Sequence, residues 1–295
     1  MFRKMLLAVA LMSAVSAALA IDTGHSKATL SATEIVDQNI HARGGLQAWR
    51  AVQALSFEGK IGAGGNRQAP IPASLPAKGT EKSSVPSPLT EEAQLPFKML
   101  LQRPRQVRFD IEFKGQTAVQ VYDGVHGWKS RPYLNRNEVE SFTADELKAA
   151  SMQPDLDGPL FDYAAKGTRI ELVGMEKLEG GNAYNLKLTM KDGETTHVWI
   201  DAQTFLEAKV EGQPRRLDGK DHPVEVYYRD YRAVNGLQIP FILETKVLPS
   251  ADSAKGRREA SIPAERITIQ KVVLNPKVVA SSFSMPEVQT ATSRH

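Results

Sequence analysis

The sequence has 295 residues with 37 basic and 34 acidic side chains and no cysteine. The missing thiols exclude a disulfide framework, a cysteine nucleophile and a lipid anchor on an N-terminal cysteine. The small formal charge of +3 excludes the basic footprint of a nucleic-acid-binding chain.

The chain opens with Arg3 and Lys4, an apolar run from Met5 through Val15, and the small-residue close Ala18-Leu19-Ala20, the pattern of a secretory signal. Ser13 and Ser16 interrupt the run, whereas an anchoring helix needs about 20 apolar residues. Residues 1–20 therefore read as a cleaved signal, with the mature chain beginning at Ile21 in the periplasm. Losing Arg3 and Lys4 leaves 35 basic against 34 acidic residues, a formal charge of +1. Residues 21–295 read as one domain, since β-barrels can run to about 250 residues.

Ser31-Ala32-Thr33-Glu34 is a capping box that starts a helix with Ile35, Val36 and Ile40 on one face. Gly44-Gly45 supplies a left-handed stop, and Leu46 to Val52, carrying Trp49, predicts a further short turn. The Pro-rich stretch 62–96 has few bulky apolar side chains and reads as a mobile insertion. A second capping box, Thr143-Ala144-Asp145-Glu146, opens a short helix bearing Leu147. The break at Gly158-Pro159, followed by Leu160-Phe161, predicts a helical turn or an ordered apolar loop.

Most of the remaining chain alternates with period two. Val107, Phe109, Ile111 and Phe113 share one face of a strand, with Arg108, Asp110, Glu112 and Lys114 on the other, the mark of an antiparallel sheet with one dry face. Tyr184 to Met190 turns at Asp192-Gly193 into Thr196 to Ile200. Val224 to Tyr228 turns at Asn235-Gly236 into Leu237 to Leu243. Pro240 cannot donate to a ladder and predicts a bulge or an edge. Further strands are expected at 55–61, 97–101, 117–122, 127–130, 170–175, 205–210 and 266–274, about eleven or twelve in all, with a second loop from Ser250 to Pro263.

Three stretches carry a resemblance to a known family: Ala32 to Trp49 running into Leu55-Ser56-Phe57-Glu58-Gly59; Arg103 to Phe109 through Val121-Tyr122-Asp123-Gly124 to Gly127-Trp128; and His197 to Asp201 before Phe205-Leu206. The closing Ser282-Phe283-Ser284-Met285-Pro286 fits as well. Together they resemble the outer-membrane lipoprotein-sorting family, periplasmic carriers and receptors of the LolA/LolB type. The resemblance implies a half-open, strongly curved antiparallel β-barrel, here of about eleven strands, with short helices covering the open side. The chain is longer than the compact carriers of that family.

On the residues alone, the alternating positions describe an ordinary core. The resemblance makes them a lipid-binding cavity lined by Phe109, Ile111, Phe113, Val121, Leu186, Leu188, Met190, Val198, Ile200, Phe241 and Leu243. It makes Ile35, Ile40, Trp49, Leu147, Leu160 and Phe161 a lid on helices. Burying a C16 chain there is worth roughly 12 kcal/mol at about 0.8 per methylene.

Catalysis finds little support. There is no Gly-x-Ser-x-Gly, His-Glu-x-x-His or phosphate-loop motif, and the scattered histidines suggest no metal site. No cofactor is expected. Asp155 and Asp157, beside Gly158-Pro159, look like turn formers. Arg103-Arg105-Arg108 and Arg215-Arg216 read as solvated strand ends or as contacts for anionic headgroups. The expected function is a monomeric carrier or receptor of a lipid or acylated protein, exchanging cargo with envelope membrane proteins as donor and acceptor. The alternative is a non-catalytic envelope sensor or adaptor that binds a protein partner.

Overall fold

The structure, a computed structural model, describes residues 30–63, 93–132, 136–153, 155–217, 219–250 and 263–286. The expected signal, the stretch 64–92 and residues 251–262 of the second loop lie outside the described residues.

Thirteen strands form one antiparallel sheet: β1 (Ala54–Ala63), β2 (Ala93–Gln102), β3 (Gln106–Phe113), β4 (Gln116–Tyr122), β5 (Gly127–Arg131), β6 (Arg136–Ser141), β7 (Arg169–Leu178), β8 (Gly181–Thr189), β9 (Thr195–Asp201), β10 (Glu207–Leu217), β11 (Lys220–Val234), β12 (Leu237–Val247) and β13 (Glu265–Leu274). Two meanders, β1 to β6 and β7 to β13, join where β1 pairs with β13. The edge strands β6 and β7 do not pair, so the curved sheet stays open, a half-open barrel. The count exceeds the expected eleven or twelve because of β6, whose Arg-Asn-Glu-Val-Glu-Ser sequence has one apolar residue and so no alternation to detect. At the insertion, β1 and β2 extend further than expected, with Lys60 opposite Pro96 and Ala63 opposite Ala93.

Turn chemistry follows the sequence. Asn235 and Gly236 adopt φ of 47° and 85° between β11 and β12, the left-handed pair that matches strand twist. Pro240 lies opposite Tyr231 in a β11 register that does not shift, although the neighbouring Asp230, at φ 53°, has no pair in the ladder, and β12 pairs with β13 only from Ile242 to Thr245. The proline thus sits where one side of an interior strand is unpaired.

Helix α1 (Ala32–Ala42) starts with the expected box: Ser31 Oγ accepts from the Glu34 amide and the Glu34 carboxylate accepts from the Ser31 amide. Helix α2 (Leu46–Arg50) follows Gly44, whose φ is 110°. A Cβ there would lie 2.5 Å from the Gly236 carbonyl oxygen, so the bend is pressed against the β11–β12 turn. Helix α3 (Ala144–Ser151) carries the second capping box. Among the described residues no helix is long and apolar enough to cross a membrane.

This order explains the cover of the inner face. Strands β6 and β7 are opposite edges of the sheet, so their connection, residues 142–168, must span the opening between them. That connection contains α3 and the apolar loop at Leu160-Phe161. Helices α1 and α2 precede the central strand β1 and supply the second cover.

Candidate functional site

The inner face can be traced by register. Leu55 pairs with Leu101 and Leu274; Phe57 lies opposite Met99, which lies opposite Phe109; Phe97 lies opposite Ile111; and Ile267 lies opposite both Ile61 and Leu243. Side chains directly opposite each other share a face, so these form one apolar floor with Leu237, Ile239 and Phe241 of β12. Trp49 of α2 and Phe161 of the crossover loop pack on this floor, their rings 5.6 Å apart. Ile40, Leu46 and Leu156 complete that packing.

Polar contacts fasten the covers. Arg43, at the end of α1, is buried and donates to Glu207 Oε1 at 2.8 Å and to the Asp157 carbonyl at 3.1 Å. Its guanidinium lies 4.4 Å from the Trp49 ring centroid and 5.3 Å from that of Phe161. Tyr231 donates to the Glu207 carbonyl at 3.0 Å, and burial beside that carboxylate raises its phenol well above the ordinary range. The crossover loop is tied by Arg103 to Asp157 at 2.8 Å, Arg105 to Asp155 at 3.2 Å, Lys166 to Asp157 at 3.1 Å, and Arg50 to Asp162. Although partial burial opposes it, hydrogen bonding from Arg105 and the nearby charge of Lys166 hold the Asp155 carboxyl below its usual value. Arg50 does the same for Asp162.

These pairs correct two expectations. Asp155 does form a turn, accepting at its carbonyl from the Gly158 amide at 2.8 Å, but its carboxylate and that of Asp157 are ion-pair partners. The basic cluster is engaged within the fold: Arg103 and Arg105 bind the loop, and Arg108 pairs with Asp110 at 3.0 Å. Arg215 is likewise paired, with Glu265.

The structure distributes the expected cavity residues unevenly. Phe109, Ile111 and Leu243 are half-buried on the inner face beside the buried Phe241. Leu186, Leu188, Val198 and Ile200 are almost fully buried. Leu186 faces Val198, and Ile200 faces Glu207, whose side chain meets Arg43 on the helix side. Phe113 ends β3 half-buried, and Met190 lies just beyond β8 in its turn. Val121 is on the other face. It pairs with Arg108, one position out of phase with Phe109, and packs with Val119 and Phe283 beneath the C-terminal segment. Ala118 and Tyr122 are buried on one side of β4 and Val119 and Val121 on the other, around an exposed Gln120, so alternation could not assign its faces.

Of the expected lid residues, Trp49 and Phe161 join on the floor with Ile40 beside them, and Ile35 and Leu160 are fully buried. Leu147 is half-buried on α3, a helix with no buried residue. Lys129 binds Glu146 of α3 and pairs with Gln120, which pairs with Phe109. Helix α3 therefore lies on the inner side, over β5.

Sequence reasoning missed Arg43 and Glu207, which are far apart in the chain and carry no local signature. The ties at Asp155 and Asp157 had a signal, since clusters of opposite charge stand at 103–105 and 155–157.

Exposure of the floor is graded. At the end beneath α2, Leu55, Trp49 and Leu237 are 2%, 2% and 1% exposed, while Leu101 and Leu274 flanking Leu55 are half-buried. Ile61, Leu243 and Ile267, at the opposite end of the same strands, are only half-buried, as is Phe113.

No protein-family model and no curated protein matches the sequence. Solved structures do. A LolA superfamily protein from Nitrosomonas europaea is 11% identical, with a TM-score of 0.50 over 87% of this chain and 98% of its own. A DUF1329 family protein from Desulfovibrio piger is 13% identical, with a TM-score of 0.51 over 88% of this chain and 100% of its own. An outer-membrane lipoprotein-sorting protein domain from Vibrio parahaemolyticus aligns over 86% of this chain at a TM-score of 0.46 and 11% identity. An open, thirteen-stranded antiparallel sheet with helices against its inner face, aligned nearly end to end with these proteins, gives this chain a LolA-like fold.

Proposed function

We propose that the chain is a periplasmic, non-catalytic carrier that holds the acyl chain of a lipid or acylated protein on the inner face of its sheet. The observation that carries this reading is the graded floor: apolar side chains run from a largely sealed end under Trp49 and Phe161 to a half-exposed end at Ile61, Leu243 and Ile267. A methylene chain entering at the half-exposed end gains about 0.8 kcal/mol for each group it buries. Because a bilayer offers nearly the same gain, transfer in either direction requires a site of comparable strength. The covers meet that requirement by limiting how much of the floor a chain can bury, with Trp49 and Phe161 closing its inner end. The ion pairs at Asp155, Asp157 and Asp162 hold that end closed.

Native mass spectrometry of the protein purified from its own periplasm tests this. The expected result is a lipid-sized added mass released by organic solvent, together with saturable uptake of a fluorescent fatty acid by the emptied protein. A bare mass with no uptake would overturn the carrier reading and favour an adaptor that binds only protein.

A further inference from the structure

Near the half-exposed end of the floor, an ion pair reaches across the sheet. Arg215 donates through both terminal nitrogens to the Glu265 carboxylate, at 2.6 and 2.7 Å. Register places both side chains on the inner face. Glu265 and its partner Thr245 each stand two residues from the inward pair Ile267 and Leu243. On β11, Val226 faces Thr245, so Val226, Val224 and His222 share the inward side, and Arg215 lies opposite His222.

Strands β10 and β13 are not neighbours, since β11 and β12 lie between them. Three strand spacings in a flat sheet amount to about 14 Å, and side chains stand roughly perpendicular to the sheet. Contact at 2.6 Å therefore brings the tip of the β10–β11 hairpin over the concave side, and the register shift between Gly212 and Arg215 supplies a bend. The pair bridges the ends of β11 and β12 beside the apolar floor. Glu265 is only two residues, about 7 Å, along β13 from Ile267.

This pair differs from the buried one beneath α1. The side chains of Arg43 and Glu207 are 10% and 7% exposed, whereas those of Arg215 and Glu265 are 40% and 45% exposed. Separating the first leaves unpaired charges in the core. Separating the second leaves each group in water, where such pairs contribute little. The bond from Arg215 holds the Glu265 carboxyl below its usual range, so the guanidinium fork holds a full anion at neutral pH. A ligand's own anion can take that position, because guanidinium binds carboxylate and phosphate alike through two parallel bonds.

We propose that Arg215 selects acyl ligands with an anionic headgroup, taking the ligand's carboxylate or phosphate in place of Glu265 while the acyl chain lies on the floor from Leu243 and Ile267 inward. The inference rests on the carrier reading and adds the ligand's charge to it. Glu265 is then an internal competitor that occupies the Arg215 fork until a ligand displaces it.

Displacement of the neutral fluorescent probe N-phenylnaphthylamine tests the proposal with ligands matched in chain and different in charge. Palmitate is compared with hexadecanol, and palmitoyl lysophosphatidic acid with monopalmitoylglycerol. The anionic member of at least one pair should bind about tenfold more tightly than the neutral one. Arg215→Gln should remove that preference by weakening the anionic ligand, with the neutral one unchanged. Glu265→Gln should tighten the anionic ligand several-fold, again with the neutral one unchanged. A preference in the first pair alone assigns a carboxylate headgroup, and in the second alone a phosphate. Equal binding of anionic and neutral ligands by wild type, a preference that persists in Arg215→Gln, or equal weakening of both ligands by that variant would overturn the proposal and leave the carrier reading standing. Displacement by none of the four ligands would overturn both.

Discussion

The sealed and half-exposed ends of the apolar floor are built from the same strands and the same residue types, yet they meet different neighbours. At the sealed end, Leu55, Leu237 and Ile239 contact Trp49 and Phe161, which are held by Arg43, Arg103 and Lys166. At the other, Ile61, Leu243 and Ile267 are only half-buried. Alternation in a strand specifies which side is dry. What covers that side depends on topology, here the long crossover between β6 and β7. The difference separates stability, concentrated at the sealed end, from ligand entry, assigned to the other.

The largest effects should come from the sealed end. Arg43→Met leaves Glu207 buried without its cation and should cost about 3–5 kcal/mol in urea unfolding. Arg43→Met combined with Glu207→Leu should recover part of that loss, because the penalty arises from the unpaired charge. A double variant as unstable as the single one would show that Arg43 acts through packing on Trp49 and Phe161. Phe161→Ala should cost about 3–5 kcal/mol. Ile61→Ala, at the half-exposed end, should cost only about 1 kcal/mol, and equal losses at both positions would erase the distinction between the ends.

A smaller effect is expected from pH. Asp155 and Asp162 titrate below the ordinary carboxylate range in the folded protein because of their cationic partners. Their contribution is therefore complete above the unfolded-state value, near 4, and is lost as pH falls through the depressed folded values. The urea midpoint should fall between pH 6 and pH 3, and Asp155→Asn with Asp162→Asn should reduce that fall. An unchanged pH dependence in the double variant would show that other carboxylates govern acid sensitivity.

Much of this architecture was legible in the sequence because its determinants are local. Both capping boxes, the Asn235-Gly236 turn and the alternation of β3, β8, β9 and β12 reappear in the structure. Legibility failed where local pattern is silent or ambiguous. The polar strand β6 shows no period, and β4 is apolar at both parities, which hid the outward placement of Val121. The Arg43–Glu207 pair joins positions 164 apart in the chain. The ties of Asp155 and Asp157 to Arg103 and Arg105 were visible as charges but not as partners, since only the crossover path brings them together.

The central claim is that the half-exposed end admits a ligand while the sealed end is structural core. One charge placed in each region tests it: Ile111→Glu, half-buried on the inner face opposite Phe97, and Leu237→Glu, buried at the sealed end. Melting followed by circular dichroism and fluorescent fatty-acid binding should be measured on both variants. The account predicts that Ile111→Glu folds, because its carboxylate can remain hydrated, and loses most fatty-acid binding. Leu237→Glu should fail to fold, since an uncompensated buried charge costs several kcal/mol against a total of about 5–15. A folded Ile111→Glu variant that binds fatty acid as well as wild type would contradict the assignment of this face as the ligand site.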